Sequence, residues 1–246
     1  AFRYESDEDG FVEYLLEGQP EPPKYFAMMK KLNKIERPLL TEVPKHAKLS
    51  ETEFLKKYND GIKVIDTRNK VEFAKGFIPG SINIQNNKTL STWAGWLLSY
   101  DEDFVIVAAE EEMDEITRKL MRIGLDRIAG FIPKVHFEGI ELQKSDVIDI
   151  EEFKTYLGKE EVQIVDVRGK TEFEEGHVEG AENVFVGTLP QNLDKISKEK
   201  QVVIHCQSGD RSAIAYSVLR RNGFNNVKNY SGGMKEWREK ENPVIS

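Results

Sequence analysis

The stretch "VIDTRNKVEFAKGFIPGSINI", Val64 to Ile84, aligns without a gap on "IVDVRGKTEFEEGHVEGAENV", Ile164 to Val184, at an offset of 100 residues. Eight positions are identical: Asp66/Asp166, Arg68/Arg168, Lys70/Lys170, Glu72/Glu172, Phe73/Phe173, Gly76/Gly176, Gly80/Gly180 and Asn83/Asn183. A repeat of this length is a whole domain rather than a solenoid unit. The chain must therefore hold two copies of one fold. Its 246 residues suit that, at about 100–200 residues per domain.

Each copy opens alike. Ser50 with Glu53, and Asp149 with Glu152, are capping-box pairs ahead of "ETEFLKKYND" and "EEFKTYLGK". Gly61 ends the first of these helices. Short β-branched runs follow, "KVIDTR" and "QIVDVR", then "FVIVAA" (Phe104 to Ala109) and "VVIHC" (Val202 to Cys206). Apolar runs of this length without alternation belong to strands buried on both faces. "DEITRKLMRIG" and "RSAIAYSVLRRNG" read as helices stopped by glycine. Alternating strands and helices predict an α/β fold, two domains each with a mostly parallel sheet flanked by helices. The expected division is residues 1–40, a short helical N-terminal segment broken at Pro20, Pro22 and Pro23, then domains at 41–134 and 145–246. Residues 133–145 read as the link between domains.

Composition narrows the function. Asp and Glu outnumber Lys and Arg 43 to 35, a formal charge of −8, which disfavours non-specific nucleic-acid binding and anionic membranes. No apolar run reaches the roughly 18 residues of a transmembrane helix. The N-terminus lacks the order of a signal peptide, and a chain without an initiator Met is expected to be a processed product or a fragment. Cys206 is the only cysteine, so neither an internal disulfide nor a cysteine-rich zinc site can form, and a reducing, cytoplasmic setting is expected. His46, His136, His177 and His205 are scattered singly, which makes a helical metal site unexpected.

That one thiol ends an apolar strand and precedes "QSGDRS", which runs directly into a helix. A strand, a tight loop and a helix N-terminus together form an anion site, with loop N–H groups turned inward. A cysteine there is expected to favour its thiolate. Gly209 permits the sharp turn, Arg211 offers a fixed fork of donors, and Ser212 stands where a first-turn residue can satisfy free backbone donors. Alternatively, Arg211 is a loop arginine paired with a nearby carboxylate, and Cys206 a small buried hydrophobe. The loop counts Cys-x4-Arg. One residue fewer than the Cys-x5-Arg cradle of cysteine phosphatases suits a single extra sulfur atom better than a phosphoryl group. Asp210 also sets a negative charge near any incoming dianion.

"DVR" followed by "GHVEGAENV", the loop "CQSGDR" and the closing "YSGGMKEW" (Tyr230 to Trp237) together resemble the rhodanese-like sulfurtransferases, across roughly 49–133 and 147–246. The resemblance implies a Cys206 nucleophile that takes sulfane sulfur from a donor such as thiosulfate, carries it as a persulfide and passes it to a thiol or sulfite acceptor. It implies a cradle of Gln207, Ser208, Gly209, Asp210 and Arg211 with Ser212, and structural support from Asp166 and Arg168. No cofactor is implied for this chain. His177 matches the family's "G-H" position, where packing or hydrogen bonding is the expected role. His205 points to the side of the strand opposite Cys206 and is not expected to act as a base.

In the first unit the chemistry reads as lost. Alignment of "DFVIVAAEEEMDEITRKLMRIG" on the second unit sets Ala109 at the position of Cys206, in a loop about two residues shorter that carries Glu110, Glu111 and Glu112. This unit is expected to be a pseudo-rhodanese domain. Trp93 and Trp96 suit either a core or a recognition surface. "LLEGQPEPPKYFAMMKKLNK" resembles the tail of metallo-β-lactamase-fold persulfide dioxygenases, which in some bacteria are fused to an inactive and then an active rhodanese domain. The resemblance implies a parent chain with a preceding non-haem-iron dioxygenase domain, and sulfide detoxification. The competing readings are a non-enzymatic docking module and, with the wrong loop length, a cysteine phosphatase or arsenate reductase.

Overall fold

The computed structural model describes residues 7–16, 22–36 and 41–246. Two short helices lead, α1 (Glu8–Leu16) and α2 (Lys24–Leu32). Pro23 stands in an extended conformation before α2, where a missing N–H costs nothing. The sequence-predicted break at Pro20 lies outside the described residues. Tyr25 and Met29 of α2 pack on the first domain's core, and Leu32 lies against Gly124.

The first domain runs α3 (Glu51–Asn59), β1 (Lys63–Asp66), α4 (Lys70–Lys75), β2 (Ile82–Asn83), α5 (Leu90–Leu97), β3 (Phe104–Val107), α6 (Met113–Met121) and β4 (Ile128–Ile132). The second runs β5 (Val147–Ile148), α7 (Ile150–Lys154), β6 (Val162–Asp166), α8 (Lys170–Glu174), β7 (Ala181–Asn183), β8 (Gln201–His205), α9 (Asp210–Arg221), β9 (Val227–Tyr230) and α10 (Gly233–Glu239). Every strand pair is parallel, in the orders β2-β1-β3-β4 and β5-β9-β8-β6-β7. The two sheets are the same sheet. The position of β5 is reduced in the first domain to a single parallel bridge, Lys48 to Phe131.

The sequence explains these elements locally. Ser50 and Glu53 form the expected capping box on α3. At α7 only half of the expected box forms: Asp149 accepts from the Glu152 N–H, but the Glu152 carboxylate pairs with Lys228 of β9 instead of reaching back. Both domains carry one brace. Arg68 grips Asp66 through two nitrogens and donates to the Gly76 carbonyl at 2.8 Å. Arg168 grips Asp166 and donates to Gly176 in the same way. Asn83 and Asn183 each donate to two carbonyls of the same turn. The brace fixes the reversal between the first central strand and the following helix.

One hydrophobic cluster runs through both domains, from Ile65, Ile106 and Ile116 of the first to Ile204, Ile214 and Leu219 of the second. Helix α9 seals the junction. The Asn83 N–H donates to Ser217 Oγ at 3.0 Å, Arg221 donates to the Gly80 carbonyl, and Phe77 meets the Tyr216 ring edge-on at 6.4 Å. Trp96 packs against Phe185, with Trp93 beside it, so both tryptophans serve interdomain packing. The link between domains lies across the first: Phe77 and Gln143 exchange backbone hydrogen bonds, and the Ser145 N–H donates to Ala74. No described helix is long and apolar enough to cross a membrane.

A shared core predicts shared unfolding. Phe77→Ala removes a fully buried ring that touches Phe73 and Tyr216, at a cost of about 3–5 kcal/mol. Urea denaturation of parent and variant is expected to show one cooperative transition each, displaced as a whole. A separate early transition in the variant would show two independent cores.

His205 supplies a pH dependence. It is fully buried beside Phe153 and Tyr230 on the face of β8 away from Cys206. Burial lowers its pKa below 6.5, with the Asp166 field opposing. The unfolded chain takes up a proton as pH falls through about 6.5, and the folded chain does so only at lower pH. The contribution is therefore complete above that pH and is lost below it, by up to about 1.4 kcal/mol per pH unit. Urea titrations at about pH 7 and about pH 5.5 are expected to show this loss in the parent and a smaller one in His205→Leu.

Candidate functional site

Cys206 follows β8 directly and faces the core side shared with α9, with 1 % of its surface exposed. Alternation along the strand sends His205 to the opposite face. The chain then turns through Gln207, Ser208 and Gly209, and α9 begins at Asp210.

The loop's carbonyls are taken from outside. Cys206 C=O accepts from the Met234 N–H at 2.8 Å, and Gln207 C=O from the Lys235 N–H at 2.9 Å. These are free amides of the first turn of α10, which the "YSGGMKEW" stretch supplies. Gly233 makes the approach feasible: at φ +61° a Cβ there would lie 2.3 Å from the Cys206 carbonyl oxygen. On the sulfur side, the Gly209 N–H donates to Cys206 Sγ at 3.2 Å. Gly209 takes φ +91°, and a Cβ on it would lie 2.5 Å from the Ser231 carbonyl oxygen. Glycine is required at both positions by conformation and by contact.

The remaining site residues differ from expectation in instructive ways. Ser212 does not cap backbone donors. Its hydroxyl lies in the first turn of α9, donates to the Gly209 carbonyl at 3.2 Å and stands 3.7 Å from Sγ. Arg211 takes the paired alternative: its fork closes on both carboxylate oxygens of Glu172, the second contact at 2.8 Å. The Arg211 bond holds Glu172 below the usual carboxylate range. Burial works against the Arg211 charge, but the Glu172 bond and the fields of Cys206 and Glu172 outweigh it and raise the arginine's pKa. Asp210 pairs at 2.7 Å with Lys70 of the first domain, which also donates to the Ser208 carbonyl. Asp166 and Arg168 lie buried beneath the site in the brace described above. His177 stacks on Phe173 and hydrogen-bonds its carbonyl through Nδ1 at 2.9 Å, a packing role.

Glu172 and Lys70 were missed as site residues. Both are marked by the internal repeat, as Glu72/Glu172 and Lys70/Lys170. Their partners lie 39 and about 140 residues away, beyond the reach of any local pattern.

The first domain's equivalent of Cys206 needs correction. Asp66 of β1 pairs with Val107, and Asp166 of β6 pairs with His205. The residue after each partner is Ala108 in one domain and Cys206 in the other. Ala108, not Ala109, therefore holds the nucleophile position, and it is buried like the cysteine. The loop to the helix-ending glycine is one residue shorter, not two: Gly124 follows Ala108 by 16 positions, and Gly223 follows Cys206 by 17. Glu110–Glu112 fill the shorter reversal with a single 3-10 turn.

The Rhodanese-like domain family matches this chain twice, at residues 50–136 and 149–240. The uncharacterized protein YqhL of Bacillus subtilis is 40 % identical over 87 residues, covering 35 % of this chain and 68 % of YqhL. A sulfurtransferase of Allochromatium vinosum is 32 % identical over 87 residues, covering 35 % of this chain and 81 % of that protein. The putative sulfur carrier protein YrkF of Bacillus subtilis is 24 % identical over 180 residues, covering 72 % of this chain and 89 % of YrkF. With two matched copies built on the same parallel sheet, the chain belongs to the rhodanese-like domain family as a tandem member with sulfurtransferases among its relatives.

Proposed function

We propose that this chain is a sulfurtransferase that carries sulfane sulfur as a Cys206 persulfide. The observation that carries the reading is the partition of the Cys206 loop. Its first two carbonyls are bonded away to α10, while an amide of the same loop points at the sulfur. Such a site stabilises negative charge on sulfur at the moment it develops.

With thiosulfate as donor, the Cys206 thiolate attacks the outer sulfur. A new S–S bond forms on Cys206, the S–S bond of thiosulfate breaks, and sulfite leaves with the electron pair. A thiolate or sulfite acceptor then attacks the outer sulfur of the persulfide, and the Cys206 thiolate departs. The thiolate is itself the nucleophile, so neither a separate base nor a cofactor is needed in this chain. A low-molecular-weight persulfide can serve as donor by the same step. Gln207 to Ser212 form the cradle in this reading, and the Arg211–Glu172 pair stiffens its outer wall. The first domain, with Ala108 in the nucleophile position and three glutamates in its loop, does not transfer sulfur. The likeness of the leading segment to a persulfide dioxygenase tail supports a setting of cytoplasmic sulfide and persulfide detoxification. Any iron chemistry there belongs to a separate dioxygenase domain.

Incubation with thiosulfate is expected to add one sulfur atom to the intact mass of the parent, and cyanide or a thiol to remove it. Cys206→Ser is expected to gain nothing. Cys206→Ser/Ala108→Cys is also expected to stay inert, because the first loop lacks a residue and presents carboxylates. An equal gain in Cys206→Ser would place the sulfur elsewhere and end this reading.

A further inference from the structure

Lys70 is the first residue of α4, in the domain without a cysteine, yet its ammonium group ends on the sulfur-facing loop of the other domain. It donates to the Ser208 carbonyl and to Asp210 Oδ1. The Ser208 carbonyl and the Gly209 N–H belong to one peptide group. In a planar trans peptide these two groups point in opposite directions. Holding the oxygen outward on Lys70 therefore holds the N–H inward on Cys206 Sγ, where it lies at 3.2 Å. Ammonium, carbonyl, amide and sulfur form one chain of hydrogen bonds, and a positive charge at its far end strengthens donation at the near end.

We infer that Lys70 is a positioning residue for sulfur transfer, supplied by the degenerate domain, that locks the 208–209 peptide so that its N–H faces the sulfur of Cys206. The inference rests on the proposed role of Cys206. A glycine at 209 makes such a lock necessary. Its backbone is free to rotate, and a flip of the preceding peptide would turn a carbonyl toward the sulfur.

The first domain is organised to hold this lysine in place. The Arg68–Asp66 brace fixes the turn just before it. Asn69 caps α4 by accepting from the N–H groups of Val71 and Glu72, and Gln85 accepts from the Lys70 N–H at 2.9 Å. The same helix α9 that starts at the loop is bonded to the first domain through Ser217 and Arg221. Lys170, the repeat's counterpart, provides the contrast: its side chain is 83 % exposed and pairs with Glu174 at 3.5 Å on its own helix.

Cys206 is the only thiol, so its alkylation by iodoacetamide reads this site alone. Alkylation rate against pH and sulfur transfer from thiosulfate to cyanide would be measured for the parent, Lys70→Met, Lys70→Gln, Lys70→Arg, Lys70→Met/Asp210→Asn and Lys170→Met, with thermal melting as the check on folding. Both neutral variants are expected to move the alkylation profile to higher pH and to lower kcat by about tenfold or more. Lys70→Arg is expected to recover much of the loss, and Lys170→Met to match the parent. The double variant separates two roles of the charge. If Lys70 acts on the peptide, the double variant stays as slow as Lys70→Met. Recovery to the parent rate would show that the lysine only neutralises Asp210 and would overturn the lock. An unmoved alkylation profile in both folded neutral variants would overturn it equally. A moved profile in a protein that accepts no sulfur would keep the lock and remove the sulfur-transfer assignment.

Discussion

The site depends on how one short loop disposes of its backbone polar groups. A reversal between a buried strand and a helix exposes carbonyls and amides alike, and both would crowd an anionic sulfur. Here the two classes are sorted. The Cys206 and Gln207 carbonyls are held by the first turn of α10, and the Gly209 amide is left for Sγ. Two glycines allow this, each at positive φ and each closer to a neighbour than a Cβ could tolerate. The fold requirement and the chemical requirement meet at the same atoms: what satisfies the backbone also removes negative ends from the neighbourhood of the sulfur.

The repeat shows which parts of the fold are independent of that chemistry. The Asp-x-Arg brace, its bond to the glycine carbonyl and the asparagine that closes the turn are the same in both domains. They persist where Ala108 replaces the cysteine, so their first task is mechanical. Burial raises the Asp66 pKa against the pull of Arg68. In the first domain the brace carries α4, and α4 carries Lys70. A structural device duplicated with the domain thus acts on the neighbouring site.

Much of this was legible in the sequence because the governing patterns are local. Unbroken apolar runs announced parallel strands, glycines marked helix ends, and the spacing from Cys206 to Arg211 fixed the loop's size. The equivalent of Cys206 is Ala108, one residue before the Ala109 that ends the apolar run, because strand register rather than the end of the run sets the position. That register is read from Asp66 and Asp166 on the neighbouring strands, whose partners are Val107 and His205. Arg211 was open between an anion ligand and a carboxylate partner, and only the fold brings Glu172 of α8 to its fork. The half-formed box at α7 has the same origin, since Lys228 arrives from a strand about 76 residues later and competes for Glu152.

The first domain carries Ala108 where its twin carries Cys206, and a shorter loop, yet its surface is tied to the second domain. Its core is continuous with that of its twin through Phe77, Trp96 and the residues facing α9. Changes that loosen this junction would move the start of α9, and with it the amide that meets the sulfur. Glu110–Glu112 form a 3-10 turn in which Glu110 pairs with Lys48 of its own domain. The turn that holds Lys70 lies against Ser208 and Asp210, and it keeps the Asp-x-Arg brace that the second domain also carries.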